Sequence, residues 1–215
     1  GTVKWLGLDF QAAYASGEPK RYVVKLGKAP TVRPAKPVTL QETPEAYILN
    51  NGVLQVTVGR KRFRLFDQVI LDSNGNGQFE PDDTLAPDES LIRAVATDGP
   101  YWVNAEGKAF RAAFDPSPLV RVEESGPLRV TLRADGWLTA EDGARAGRFV
   151  TRISLCAGQT QIAVNSTFII TWDTADRAMR VRDMGVAVTP VGLEKAQLAR
   201  YTEAVPLPEE GTFYM

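Results

Sequence analysis

Apolar and polar residues alternate with a period of two along most of this chain. Leu54, Val56 and Val58 fall on one face of a stretch whose other face carries Val53, Gln55 and Thr57, the pattern of a half-buried strand. Similar stretches at 3–10, 21–26, 38–42, 46–50, 63–71, 91–97, 101–103 and 110–114 predict strands in the first half. In the second half they recur at 119–123, 128–134, 137–140, 149–156, 161–172 and 179–188. Helical spacing is confined to residues 193–201. Glycine or proline stands at nearly every junction, and Asn50-Asn51-Gly52 reads as a tight turn. Strands about 8–12 residues apart predict an all-β fold, an antiparallel barrel or sandwich of many short strands. Residues 28–37 hold three prolines and mark a candidate sub-boundary within one large β domain over 1–215. Gly1 leads straight into a strand and the chain stops at Met215 without terminal punctuation, which reads as a piece of a longer polypeptide.

One polar stretch interrupts the pattern. Counting Asp72 as position 1, oxygen-bearing side chains fall at positions 1, 3, 5, 9 and 12, and Gly77 occupies position 6, where the backbone must turn sharply. A hard dication takes about 6–8 oxygens, and a loop of this length wraps them around one point. The proposed calcium ligands are Asp72, Asn74, Asn76, Gln78 through its main-chain carbonyl, Glu80 and Asp83. A plain Asn-Gly turn would not need carboxylates at both ends in this register. Pro81 and Pro87 oppose a long helix after the loop, and Asp83 stands where an EF-hand usually has Glu. The expectation is therefore an EF-hand-like loop inserted between β elements, with a structural rather than a signalling task.

Charge and composition narrow the classes. With 25 basic and 26 acidic side chains the net charge is −1, which removes the footprint of a nucleic-acid binder. The lone Cys156 excludes an internal disulfide, and the absence of histidine excludes the usual triads and His-based zinc sites. No apolar run is long enough to span a bilayer as a helix. Among the aromatic residues, Tyr101 and Trp102 follow Asp98-Gly99-Pro100 and are the candidates for sugar stacking; the others read as core. Glu123 with Glu124, or Asp173 with Asp176, would serve as a glycosidase pair only if held across a cleft, which adjacent positions do not establish. Asn165-Ser166-Thr167 satisfies the glycosylation sequon.

Several phrases together resemble a known family. They are Trp5-Leu6-Gly7-Leu8-Asp9-Phe10-Gln11-Ala12 with Lys20-Arg21-Tyr22, then Glu123-Glu124-Ser125-Gly126-Pro127-Leu128-Arg129, residues 152–158 leading into 164–171, and Asp183-Met184-Gly185-Val186. They resemble the N-terminal RIFT-barrel domain of exo-acting rhamnogalacturonan lyase-like proteins. The resemblance implies a secreted, multidomain, carbohydrate-active protein in which this β domain precedes a helical toroid and a further β domain. It carries no catalytic residue onto this chain.

The expected function is that of a non-catalytic, calcium-stabilised β module of an extracellular or cell-surface protein, the N-terminal part of a polysaccharide lyase-like enzyme. Millimolar calcium outside cells fills weak loops of this kind, which is the ground for the localisation. Its expected partners are other domains of the same polypeptide, copies of itself, or a polysaccharide. The alternative is a structural subunit of an extracellular filament or surface layer that assembles by strand addition.

Overall fold

The computed structural model describes residues 7, 8, 10–12, 19–24, 27, 33–72, 75–79, 99–171 and 180–188, and the backbone of 197–200 and 203–206. These residues form an all-β structure whose one helical piece is a 3-10 turn, Ala112–Phe114. A four-stranded antiparallel meander contains β1 (Thr39–Glu42), β2 (Ala46–Asn50), β3 (Leu54–Gly59) and β4 (Gln68–Leu71), in that order. A seven-stranded sheet contains β5 (Gly99–Asn104), β6 (Ala109–Arg111), β7 (Leu119–Ser125), β8 (Arg129–Thr139), β9 (Arg145–Cys156), β10 (Ile162–Ile169) and β11 (Val181–Ala187). Its order is β10-β9-β8-β6-β5-β11, with β7 also on β8. A separate pair joins β12 (Gln197–Arg200) to β13 (Glu203–Pro206).

The two larger sheets share one core. Leu49, Val56 and Val58 from the first sheet are buried with Leu132, Leu138, Phe149, Ile153 and Leu155 from the second. Alternation puts these residues inward and their neighbours outward, so the period-two pattern is the cause of the sandwich. Phe63 bridges the layers, its ring stacked on Phe149 with centroids 5.5 Å apart. Apolar packing alone is not directional, and one amide supplies direction. Asn51, at 0% exposure, follows β2 directly and reaches the turn after β9. Its Nδ2 donates to the carbonyls of Cys156 and Gln159, both at 2.7 Å. Its Oδ1 accepts from Val53 N and Leu54 N at 3.0 and 2.7 Å. The backbone adds Gly158 N to Asn51 O at 3.0 Å.

Strand β8 needs a second device. Along one edge it pairs with β9 throughout, while its other edge is divided between β7 and, at Thr139, β6. The gap falls at Trp137, whose N–H donates to the buried Asp115 carboxylate at 2.7 Å. Gly136 makes room for it: a Cβ there would stand 2.5 Å from Asp115 Oδ2 and 2.7 Å from the Phe149 ring.

Strands expected at 38–42, 46–50 and 53–60 are present as β1, β2 and β3. Other expectations change, among them 110–114, where the strand β6 ends at Arg111 and Ala112–Phe114 is the 3-10 turn. In place of the two strands expected at 128–134 and 137–140, Arg129–Thr139 forms one, because Asp115 continues the pairing where β7 stops. Only Gln68–Leu71 of 63–71 is a strand; Phe63, Leu65 and Phe66 instead enter the core from an irregular segment, with Leu65 at φ 74°. Residues 197–200, expected to be helical, pair with β13, since a strand partner outweighs weak local helix preference in so short a segment. Described residues 7, 8, 10 and 21–24 lie outside any strand, and the stretch 91–97 lies outside the described residues.

Asn51→Ala is expected to cost about 2 kcal/mol, because four backbone groups, most of them at least partly buried, lose their partner. Asn51→Asp should cost as much at neutral pH, where an ionised carboxylate would face two carbonyl oxygens, and recover part of the loss on acidification. Urea unfolding of both variants across pH checks this.

Candidate functional site

Strand β4 delivers Asp72 to the mouth of the polar loop, and backbone bonding fixes it there: Asp72 N donates to Val53 O at 2.9 Å. The loop then folds back on that side chain. Gly77 N donates to Asp72 Oδ2 at 3.0 Å, and Gln78 N donates to Asn76 Oδ1 at 2.7 Å. Gly75 and Gly77 have φ of 74° and 79°, and a Cβ at either would meet nothing within 4 Å. Their selection is therefore conformational rather than steric. Asp72 is 8% exposed, and its second oxygen, Oδ1, is buried without a hydrogen-bond partner.

Of the six expected ligands, Asp72, Asn76 and Gln78 belong to this turn, while Asn74, Glu80 and Asp83 lie outside the described residues. Among the described residues no group of three acidic, Cys or His side chains converges. The donor types present fit a hard cation in kind: a carboxylate oxygen with no hydrogen-bond partner, and, in the same turn, an amide side chain and a main-chain carbonyl.

The sugar-stacking candidates are placed differently. Trp102 is 1% exposed and packs in the core, leaving no ring face open to a ligand. Tyr101, next along β5, points outward, and its hydroxyl donates to Asp183 Oδ2 at 3.1 Å. The carboxylates weighed as an acid–base pair are both engaged in ion pairs. Glu124 accepts from Thr131 at 3.1 Å and pairs with Arg129 at 2.7 Å. Glu123 is gripped by Arg152, through Nε at 2.5 Å and Nη2 at 2.9 Å, and by Arg133 at 3.3 Å. Arg152 beside it, and then Arg133, hold the Glu123 carboxyl below its ordinary 4.5. A general acid at neutral pH would need the opposite shift. Asp173 and Asp176 lie outside the described residues.

Sequence reading missed what these arginines form. Arg121, Arg133 and Arg152 are mutual register partners across β7, β8 and β9, and Asn165 on β10 continues the row. Farther along β8, Trp137 faces Arg148, and the Arg145 and Arg148 guanidiniums stand 5.1 and 5.7 Å from its ring centroid. The signal was present as alternate outward arginines, but only the register aligns them.

Two layered antiparallel sheets over one apolar core define an all-β sandwich domain. A family model described as the PcRGLX-like protein central beta sandwich domain matches residues 38–203. The chain belongs to this rhamnogalacturonan lyase-like family. It is the family that the sequence phrases resemble, and the domain matched within it is the central sandwich, which replaces the N-terminal RIFT barrel as the chain's place there. No curated protein and no solved structure matches the chain.

A carboxyl held below its ordinary value stabilises the fold above that value, and the contribution is lost as pH falls through the lowered one. Glu123→Gln should therefore lower stability at neutral pH and converge with the unaltered protein below pH 4.5. Thermal melts of both across the acidic range give the comparison; parallel curves would exclude the pairing as a source of stability.

Proposed function

We propose that this chain is a non-catalytic, calcium-stabilised β module of an extracellular or cell-surface protein that acts on polysaccharide. The observation that carries the calcium reading is the partnerless, buried Oδ1 of Asp72. Leaving such an oxygen unmet is costly, and a divalent ion would satisfy it together with the neighbouring loop oxygens. Asp72, Asn76 and Gln78 would hold the ion, with Asn74, Glu80 and Asp83 as further ligands. The ion would supply fixed positive charge, fastening the loop to the end of β4.

Family membership supports the polysaccharide reading, because the family is rhamnogalacturonan lyase-like. A supporting rather than reacting role is favoured by the ion pairs that occupy Glu123, Glu124 and Asp135. An extracellular location follows from the weak calcium affinity expected of a loop with few charged ligands. Assembly by strand addition is the second reading, favoured by one observation: β10 and β11 each pair along one edge among the described residues.

Calcium at about a hundredfold above its Kd should stabilise the chain by about 2.7 kcal/mol. At this chain length that raises Tm by about 5–10 °C relative to chelator. Asp72→Ala should abolish the difference between the two conditions. Equal melting curves in calcium and chelator would remove the metal reading. Light scattering of the same samples separates monomers from the polymers that strand addition requires.

A further inference from the structure

We infer that the outer face of the seven-stranded sheet, centred on Trp137 between Arg145 and Arg148, is a binding surface for a carboxylate-bearing glycan. The inference rests on the reading of this chain as part of a polysaccharide-acting protein, and adds geometry which that reading does not use. Trp137 is half-buried and faces outward, while Arg145 and Arg148 are exposed beside it. Elsewhere on this face the guanidiniums are matched: Arg152 and Arg133 by Glu123, Arg133 also by Asp135, and Arg129 by Glu124. Arg145 and Arg148 differ, for no carboxylate among the described residues lies within ion-pair distance of either.

Two cations over one indole repel each other, and an incoming carboxylate relieves that repulsion while accepting forked hydrogen bonds. The indole holds the two guanidiniums together at this point of the sheet, so that both face one incoming carboxylate. Asn165 and Thr167 on the neighbouring strand β10 are exposed and offer amide and hydroxyl groups to sugar hydroxyls. The amount of charge argues for a sparsely charged ligand. On a chain of net charge −1, this two-arginine excess falls well short of the roughly 6–10 phosphate contacts that sustain nucleic-acid binding.

The test titrates the full chain at low salt with a galacturonic acid hexasaccharide, its fully methyl-esterified form and a single-stranded DNA oligonucleotide, in calcium and in chelator. Saturable binding of the acid form is expected, weakened about tenfold or more in Arg145→Ala/Arg148→Ala and at least as much by esterification. Both arginines are exposed, and an unchanged melting curve confirms that the variant folds. If the acid form binds the double variant undiminished, the glycan reading stands and this surface is wrong. No saturable binding, equal binding of the ester, or tighter binding of DNA also overturns the inference. Binding that persists in chelator separates it from the metal reading.

Discussion

The relation between the two sheets depends on the buried amide of Asn51. Hydrophobic burial drives the layers together but tolerates sliding, whereas the two bonds that Asn51 Nδ2 donates, with Gly158 N donating to Asn51 O, hold the β2–β3 turn to the β9–β10 turn, and the two bonds that Oδ1 accepts fix the β2–β3 turn itself. The same bonds reach the candidate metal loop. Asn51 Oδ1 accepts from Val53 N, and Val53 O accepts from Asp72 N, so the loop begins one residue's bonding away from the clamp. An ion at Asp72 would therefore act on the end of the sandwich where the sheets are already bridged.

Inside and outside of the seven-stranded sheet do different work. Inward positions of β8 and β9 build the core with Leu132, Leu138, Phe149 and Ile153. Outward positions carry an ordered polar lattice of arginines and carboxylates. It is ordered because β8 pairs through the place where β7 ends, and that continuity rests on Asp115 seated against Gly136. A side chain at Gly136 would displace the carboxylate, and the disturbance would reach Trp137 directly. Core packing and surface chemistry are thus coupled through one glycine and one aspartate.

Legibility from sequence followed the range of the interactions. Strands β1 to β3 could be read because alternation and the Asn51-Gly52 turn are local signals. The polar turn after position 72 could be read because its glycine spacing is local too, and Gly75 and Gly77 do take positive φ there; whether Asp72 binds an ion is a separate matter that spacing does not decide. The partnerless state of its oxygen could not be read, since that depends on what surrounds it. Residues 63–67 look like strand in composition, yet Phe63 and Leu65 go to a core assembled by distant strands. Gly136 resembles a break until Asp115, far along the chain, is seen to continue the ladder. The arginine row is invisible for a similar reason: three residues from three strands become neighbours only once register is set.

The central claim is that Asp72 Oδ1 is completed by a divalent cation. A crystal structure grown with calcium tests it most directly, through anomalous scattering at the loop. The account predicts a single peak about 2.3–2.6 Å from Asp72 Oδ1, with further oxygen ligands from the following loop. A well-ordered loop with Asp72 bonded only to water or protein N–H groups in the same calcium-containing crystal would contradict it.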